Sequence, residues 1–321
     1  MTKVLVTGAF GQIGTELTAA LRASHGADNV LATGRSLPAP DFRASMQGPS
    51  ERLDVTDARA VADSIERHDI DVIYHLAAIL SAHGERDPQA TWRINTDGLR
   101  NILEAARRKS GCRVFWPSSI AAFGPDTPRD ATPQDTVMRP TTIYGVSKVA
   151  GELLGDYYNN RYGLDVRGVR YPGVISSGSL PGGGTTDYAV NMFYAALRAG
   201  RYTAFVRADC VLPMIYMPDC ISATIDLMSA DAANLTHRNG YNVAAMSFSA
   251  EELASEIRKH IPEFVCEYEP DERQAIADSW PRSIDDHIAR QDWGWQPRYD
   301  LAQMTADMLN KLRARQRDGR L

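Results

Sequence analysis

The sequence predicts an α/β protein built on a doubly wound parallel sheet, with a smaller C-terminal lobe. Through residue 175, apolar runs of strand length alternate with longer runs of helical period, as a parallel sheet covered on both faces requires. The first apolar run leads directly into a glycine turn. After residue 175 the alternation gives way to Gly/Ser/Pro-rich sequence and shorter elements.

Strands are expected near 3–7, 29–33, 71–77, 112–116 and 165–171, with helices near 12–25, 57–68, 88–109 and 143–162. Lys3-Val4-Leu5-Val6-Thr7 is an apolar strand, and Leu17, Ala20 and Leu21 mark the inner face of the helix after it. Between them stand Gly8, Gly11, Gln12, Ile13 and Gly14. Glycines so placed bring backbone close to a pyrophosphate at the positive end of a helix, the turn of a Rossmann-type sheet.

The loop from Ser36 to Ser50 carries three prolines and is expected to skirt the adenosine end of such a site. Asp57 reads as the cap of the next helix. His75, inside Val72-Ile73-Tyr74-His75-Leu76-Ala77-Ala78, reads as a strand residue bonded to backbone. Val114-Phe115-Trp116-Pro117 runs into Ser118 and Ser119, hydroxyls that would face the ligand crevice from the carboxyl end of a strand.

Tyr144 and Lys148 lie four apart in the helix expected over 143–162, hence on one face. A tyrosine alone has a pKa of about 10. A neighbouring ammonium favours the phenolate, which makes a base that can take a proton from an alcohol. The same spacing also serves a simple packing pair. Beyond residue 175, helices are expected near 186–199, 219–229 and 250–260. Residues 1–175 are therefore read as the dinucleotide domain, and 176–321 mainly as a substrate lobe with segments returning to the sheet.

Composition narrows the partners. The 321 residues are 44% hydrophobic and 23% charged, with net charge −5 and no dense basic run, so neither nucleic acid nor an anionic membrane is an expected partner. No leader pattern and no apolar run near the roughly 18 residues of a membrane span is present, and a cytoplasmic location is expected. Cys112, Cys210, Cys220 and Cys266 are scattered, and the seven histidines form no ligand cluster, so no protein-bound metal is expected.

Gly8, Gly11 and Gly14, Ser119, and Tyr144 with Lys148 together resemble the short-chain dehydrogenase/reductase superfamily. The Thr-Gly-Ala-x-Gly-x-Ile-Gly form resembles its extended, NAD-dependent epimerase/dehydratase-like branch. Four segments resemble the L-threonine 3-dehydrogenases of that branch: 76–82, 116–121, 170–175 and 181–188. The resemblance implies Tyr144 as base, Lys148 as its pKa-lowering and ribose-binding partner, and Ser119 as the hydroxyl that orients the substrate oxygen. It implies oxidation of L-threonine to 2-amino-3-oxobutanoate with hydride transfer to NAD.

Carried over residue by residue, the resemblance assigns the cofactor to Gly8, Gly11, Gln12, Ile13, Gly14, Asp54, Val55, Leu76, Ala77, Ala78, Asn95, Tyr144, Lys148, Tyr171 and Pro172, and Arg35 joins them from its place at the end of the second strand. It assigns the substrate to Ser81, Ser118, Ser119, Tyr144, Gly184, Thr185, Thr186 and Trp280. Ser81 and Thr186 also suit ordinary helix caps, and Trp280 suits packing. Gly182–Gly184 and the loop near Ser81 are the expected moving parts. Trp293-Gly294-Trp295 resembles the closing turn of the family, with a packing role.

One departure is visible. Gly34-Arg35 stands where NAD-preferring relatives place an acid for the ribose hydroxyls; Arg35 suits a 2′-phosphate, hence NADP, or stacking on adenine. The breadth of the resemblance favours NAD. The rivals are a nucleotide-sugar epimerase or dehydratase, opposed by Pro172-Gly173 and the Gly-Gly-Gly-Thr-Thr run, and a non-catalytic dinucleotide sensor, opposed by the presence of both Tyr144 and Lys148. Arg93, Arg100, Glu104, Arg107 and Arg108 make the face of 88–109 charged, so a monomer or a homodimer is expected.

Overall fold

In the computed structural model, which describes residues 1–319, the first apolar run forms β1 (Val4–Thr7), buried throughout. The glycine turn then opens α1 (Gln12–His25). The first half continues β2 (Val30–Gly34), α2 (Pro40–Met46), β3 (Ser50–Arg52), α3 (Ala58–Arg67), β4 (Val72–His75), α4 (Ser81–Gly84), α5 (Pro88–Trp92), α6 (Gly98–Ala106), β5 (Arg113–Phe115), β6 (Ser118–Ser119), α7 (Ile143–Tyr162) and β7 (Asp165–Arg167). Six of these strands pair in the order β3-β2-β1-β4-β5-β7, all parallel.

Alternation along each strand decides the two cores. Leu5, Leu31, Ile73 and Val114 point into one cluster with Val61 of α3 and Leu99 and Ile102 of α6. Val4, Val6, Ala32 and Tyr74 point the other way, onto Leu17 and Leu21 of α1. Side chains of period two on the strands meet helices on both faces, which is the doubly wound arrangement.

The chain then leaves this sheet through β8 (Val169–Tyr171) and β9 (Gly173–Ile175) and continues as α8 (Tyr188–Ala199), β10 (Arg201–Ala204), β11 (Val211–Tyr216), α9 (Met217–Ser229), β12 (Tyr241–Asn242), β13 (Met246–Ser249), α10 (Ala250–Arg258), β14 (Val265–Tyr268), α11 (Glu272–Asp278), α12 (His287–Trp293) and α13 (Leu301–Arg317). Its strands form three small sheets, β12-β8-β6, β13-β11-β9 and β10-β14. A third core gathers α8, α10 and α13 around Tyr188, Phe193, Phe248 and Met308, and it reaches Ile120 and Tyr144.

Four expectations are corrected. The strand expected over 165–171 breaks at Gly168, where Arg167 O is taken by Trp116 N and Gly168 O by Tyr241 N, so that two short strands serve different sheets. The loop expected over 36–50 contains α2, whose proline sits in the first turn where it needs no donor, and leads into β3. The helix expected over 88–109 is interrupted by a π-helical turn at Arg93–Asp97. His75 bonds a side chain, with Nδ1 2.7 Å from Thr7 Oγ1. Burial pushes that imidazole down to about 3, which keeps it neutral.

Candidate active site

The glycine turn, the loop after β4, β6, the start of α7 and the segment joining β9 to α8 enclose one cleft of about 610 Å³. Gly8 has φ +67, and a Cβ at Gly14 would stand 2.1 Å from Gly8 O, so only glycine lets the turn fold back on α1. Gly11 caps α1 without a side-chain hydrogen bond, and the first turn holds no acid. The backbone N–H groups of that turn are thus left for an anion. Gly8, Gly11, Gln12, Ile13 and Gly14 all line the cleft. The turn fits a dinucleotide pyrophosphate.

The opposite wall is set by α7. Thr142 Oγ1 caps it by accepting from Gly145 N at 3.1 Å, which fixes the helix start and brings Tyr144 and Lys148 to the cleft. Ser119 Oγ accepts from Ala121 N at 3.2 Å and sits near enough to Tyr144 to draw its hydroxyl's pKa down. Lys148 Nζ donates to Pro117 O at 2.6 Å, 4.5 Å from the centre of the Trp116 ring and 5.4 Å from that of Tyr144.

The expected lowering of the tyrosine by its lysine gives way here to burial. Burial pushes Tyr144 up to about 12, against the pull of Ser119. It pushes Lys148 down to about 7, with the charge of Glu152 acting the other way. Both groups are driven toward their neutral forms because a fully buried charge loses more hydration than a neutral partner returns.

The wall facing Tyr144 is the glycine strap. Gly183 has φ +95 and lies against the His83 ring; a Cβ there would stand 1.7 Å from His83 Nδ1. Asp187 holds the strap by accepting from Gly183 N at 2.7 Å and Gly184 N at 2.6 Å. Burial raises its carboxyl nonetheless. Ser81 Oγ lies 3.0 Å from Thr185 Oγ1 and accepts from Thr185 N at 3.3 Å, so the loop after β4 and the strap are pinned together.

Leu76, Ala78, Ser81, Ser118, Ser119, Tyr171, Pro172, Gly184, Thr185, Thr186 and Trp280 join the same cleft. Several are committed to other contacts as well. Ser118 Oγ donates to Glu152, and the Tyr171 hydroxyl bonds Thr224. Neither Ser81 nor Thr186 is a helix cap: α4 is preceded by Leu80 and α8 by Asp187. Trp280 is buried in the third core and also faces the cleft.

Arg35, Asp54, Val55, Ala77 and Asn95 do not line it. Asn95, in the π-helical turn, accepts from Ile79 N at 2.8 Å and donates to Ile79 O and Ser147 Oγ, holding the loop after β4 in place. Asp54 accepts from Thr56 N and Oγ1 at 2.9 and 2.7 Å, contacts that hold its carboxyl below the usual range. Ala77 N meets Thr7 Oγ1 at 3.4 Å, and Val55 O accepts from Asn101.

His83 and Asp187 line the cleft and were absent from the residues read from sequence. Asp187 carried a signal, an acid directly after Gly182-Gly183-Gly184-Thr185-Thr186. His83 carried only its place two residues past Ser81. Among the described residues no cluster of His, Cys, Asp or Glu is placed to hold a metal, and no helix is long and apolar enough to cross a membrane.

Residues 4–244 match the model of the NAD dependent epimerase/dehydratase family. An uncharacterized epimerase/dehydratase of Staphylococcus haemolyticus is 49% identical over 319 residues, 99% of this chain and 100% of the relative. The crystal structure of an L-threonine dehydrogenase from Phytophthora infestans aligns with TM-score 0.94 at 50% identity, covering 98% of this chain and 100% of the other. A holo form of an L-threonine dehydrogenase from Cupriavidus necator aligns with TM-score 0.93 at 52% identity, covering 97% and 99%.

Proposed function

Since the chain belongs to the NAD dependent epimerase/dehydratase family, we propose that it is an L-threonine 3-dehydrogenase that oxidises L-threonine to 2-amino-3-oxobutanoate. The observation that carries the reading is one cleft shared by the glycine turn, the Tyr144–Ser119 pair and the Ser81–Thr185 bridge beneath the strap. NAD, when bound, supplies the hydride acceptor. Gly8, Gly11, Gln12, Ile13 and Gly14 hold the pyrophosphate, and Lys148, with Tyr171 and Pro172 nearby, faces the nicotinamide half. Residues 1–175 provide most of this site, and 176–321 mainly close it over substrate.

Once it has released its own proton to solvent, Tyr144 as phenolate receives the proton of the substrate 3-hydroxyl while Ser119 donates to the same oxygen and fixes its direction. A protonated Lys148 lowers the cost of the phenolate. Ser81, Thr185 and Thr186 offer hydroxyls to the carboxylate and ammonium of a small zwitterion, and Trp280 covers the methyl and excludes water. The charge expected on the helix faces is accompanied by exposed Val146, Leu153, Tyr157 and Tyr162 on α7, which suit either a monomer or a homodimer. The protein acts in the cytoplasm.

The test is initial-rate formation of NADH with L-threonine, with L-allo-threonine and L-serine as controls. Threonine-dependent NADH that collapses in Tyr144→Phe supports the reading. No turnover with either dinucleotide overturns it and directs the search to nucleotide sugars.

A further inference from the structure

The adenosine end of the site departs from the rest in charge. Ala9 N donates to Thr33 O at 3.0 Å, which ties the carboxyl end of β2 to the glycine turn and sets Gly34 and Arg35 beside the crevice. An NAD site ordinarily has a carboxylate at this place for the two ribose hydroxyls. Here a side chain at 34 would displace its neighbour, because its Cβ would stand 2.8 Å from Cδ2 and 3.2 Å from Cε2 of Phe10, a residue of the glycine turn itself. The aromatic ring fills the volume that the acid would need.

The strand end beside Gly34 carries two arginines. Arg52 is the register partner of Gly34 across β2 and β3, and its Nε donates to Arg35 O at 3.0 Å, fixing the turn that presents Arg35. Arg35 and Arg52 are both exposed. Among the described residues neither guanidinium stands within ion-pair distance of a carboxylate, although the charge of Arg35 reaches Asp54 and helps to lower it. The nearby acid, Asp54, has turned one oxygen onto Thr56 N and Oγ1. An exposed arginine alone is ordinary surface; two at one strand end, with Phe10 crowding the place of the acid, are a different arrangement.

We infer that Arg35 and Arg52 form a subsite for the 2′-phosphate of an adenosine ribose, so that the protein takes 2′-phosphorylated dinucleotides as well as NAD. The inference rests on the dinucleotide reading of the cleft and not on the identity of the alcohol oxidised. A guanidinium presents a planar fork that matches phosphate oxygens, whereas a carboxylate at 34 would repel the dianion. Loss of the acid removes that repulsion, and the arginines add attraction.

The experiment titrates the full-length protein by calorimetry with adenosine 5′-monophosphate and with adenosine 2′,5′-bisphosphate, which differ only in the group at issue. The bisphosphate is expected to bind about tenfold or more tightly at low salt, the worth of one charged hydrogen bond, with the advantage shrinking as salt rises. Arg35→Ala and Arg52→Ala are each expected to cut the ratio of the two affinities. Gly34→Asp combined with Phe10→Ala, which makes room for the acid, is expected to reverse the preference.

Equal or weaker binding of the bisphosphate overturns the inference. So does an Arg35→Ala variant that weakens both nucleotides by one factor, the mark of stacking on adenine. Because these titrations involve no threonine, a protein that prefers the bisphosphate yet leaves threonine untouched keeps the subsite and loses the substrate assignment. A protein that oxidises threonine with NAD and rejects the bisphosphate does the converse.

Discussion

Arg170 donates to both oxygens of Glu152, at 2.9 and 2.8 Å, and both side chains are buried. The pair joins α7, one turn beyond Lys148, to β8, and Ser118 adds a third donor to the same carboxylate. Glu152→Gln keeps the shape and leaves the Arg170 charge without its partner. Removing one member of a buried ion pair costs about 3–5 kcal/mol, and urea unfolding should show a loss of that order. A loss below about 1 kcal/mol, the worth of an exposed pair, would sink this account.

Tyr144→Phe removes a hydroxyl and little volume. General-base catalysis contributes about 10²–10⁴-fold, so kcat for threonine oxidation should fall by that range. Dinucleotide binding, followed by quenching of intrinsic fluorescence, should survive the change. A variant turning over within a few-fold of the native enzyme would remove Tyr144 from the base's role.

Lys148 gives a pH signature in stability. Its folded value of about 7 lies below its ordinary 10.5. Between the two, the unfolded chain holds a proton that the folded chain does not, so stability contributed at this site falls as pH drops from about 10 to about 7 and is level below. In Lys148→Met the term is absent. The gap in unfolding free energy should therefore move in the variant's favour as pH falls through that window. Urea titrations of both proteins at several pH values check it, and parallel curves would contradict it.

Gly183→Val tests the strap. The added Cβ meets His83 at 1.7 Å on a backbone with φ +95 that valine resists, so the strap, the His83 ring or both must move. The expected result is at least a tenfold loss of kcat/KM for threonine, since a misplacement of about 1 Å can cost 10²-fold. Far-ultraviolet circular dichroism and dinucleotide affinity should stay close to native. Unchanged turnover together with unchanged threonine KM would refute a closing role.

The sequence carried β1, the glycine turn and the Tyr144–Lys148 spacing plainly, because each is a local pattern whose period or residue type has one physical use. It hid β3 and α2. The Ser-Glu-Arg of β3 is a polar, partly exposed edge with no apolar alternation to read, and the prolines around α2 resemble loop punctuation. Asp187 and His83 escaped for another reason. Their place depends on the strap lying over a loop about a hundred residues earlier, as the Ser81–Thr185 contact shows, and no local pattern encodes that approach. The burial that raises Tyr144 is equally non-local, arising where the third core closes on α7.

Because the chain returns through β11 to β9 and through β12 to β8, no single cut divides it between the groups facing the dinucleotide and those facing the substrate. Tyr171 and Pro172 sit where ladders from both halves meet. A genetic crossover with a relative at one point would join mismatched halves of these ladders. Point changes along the strap leave these ladders whole, whereas exchange of a lobe breaks them.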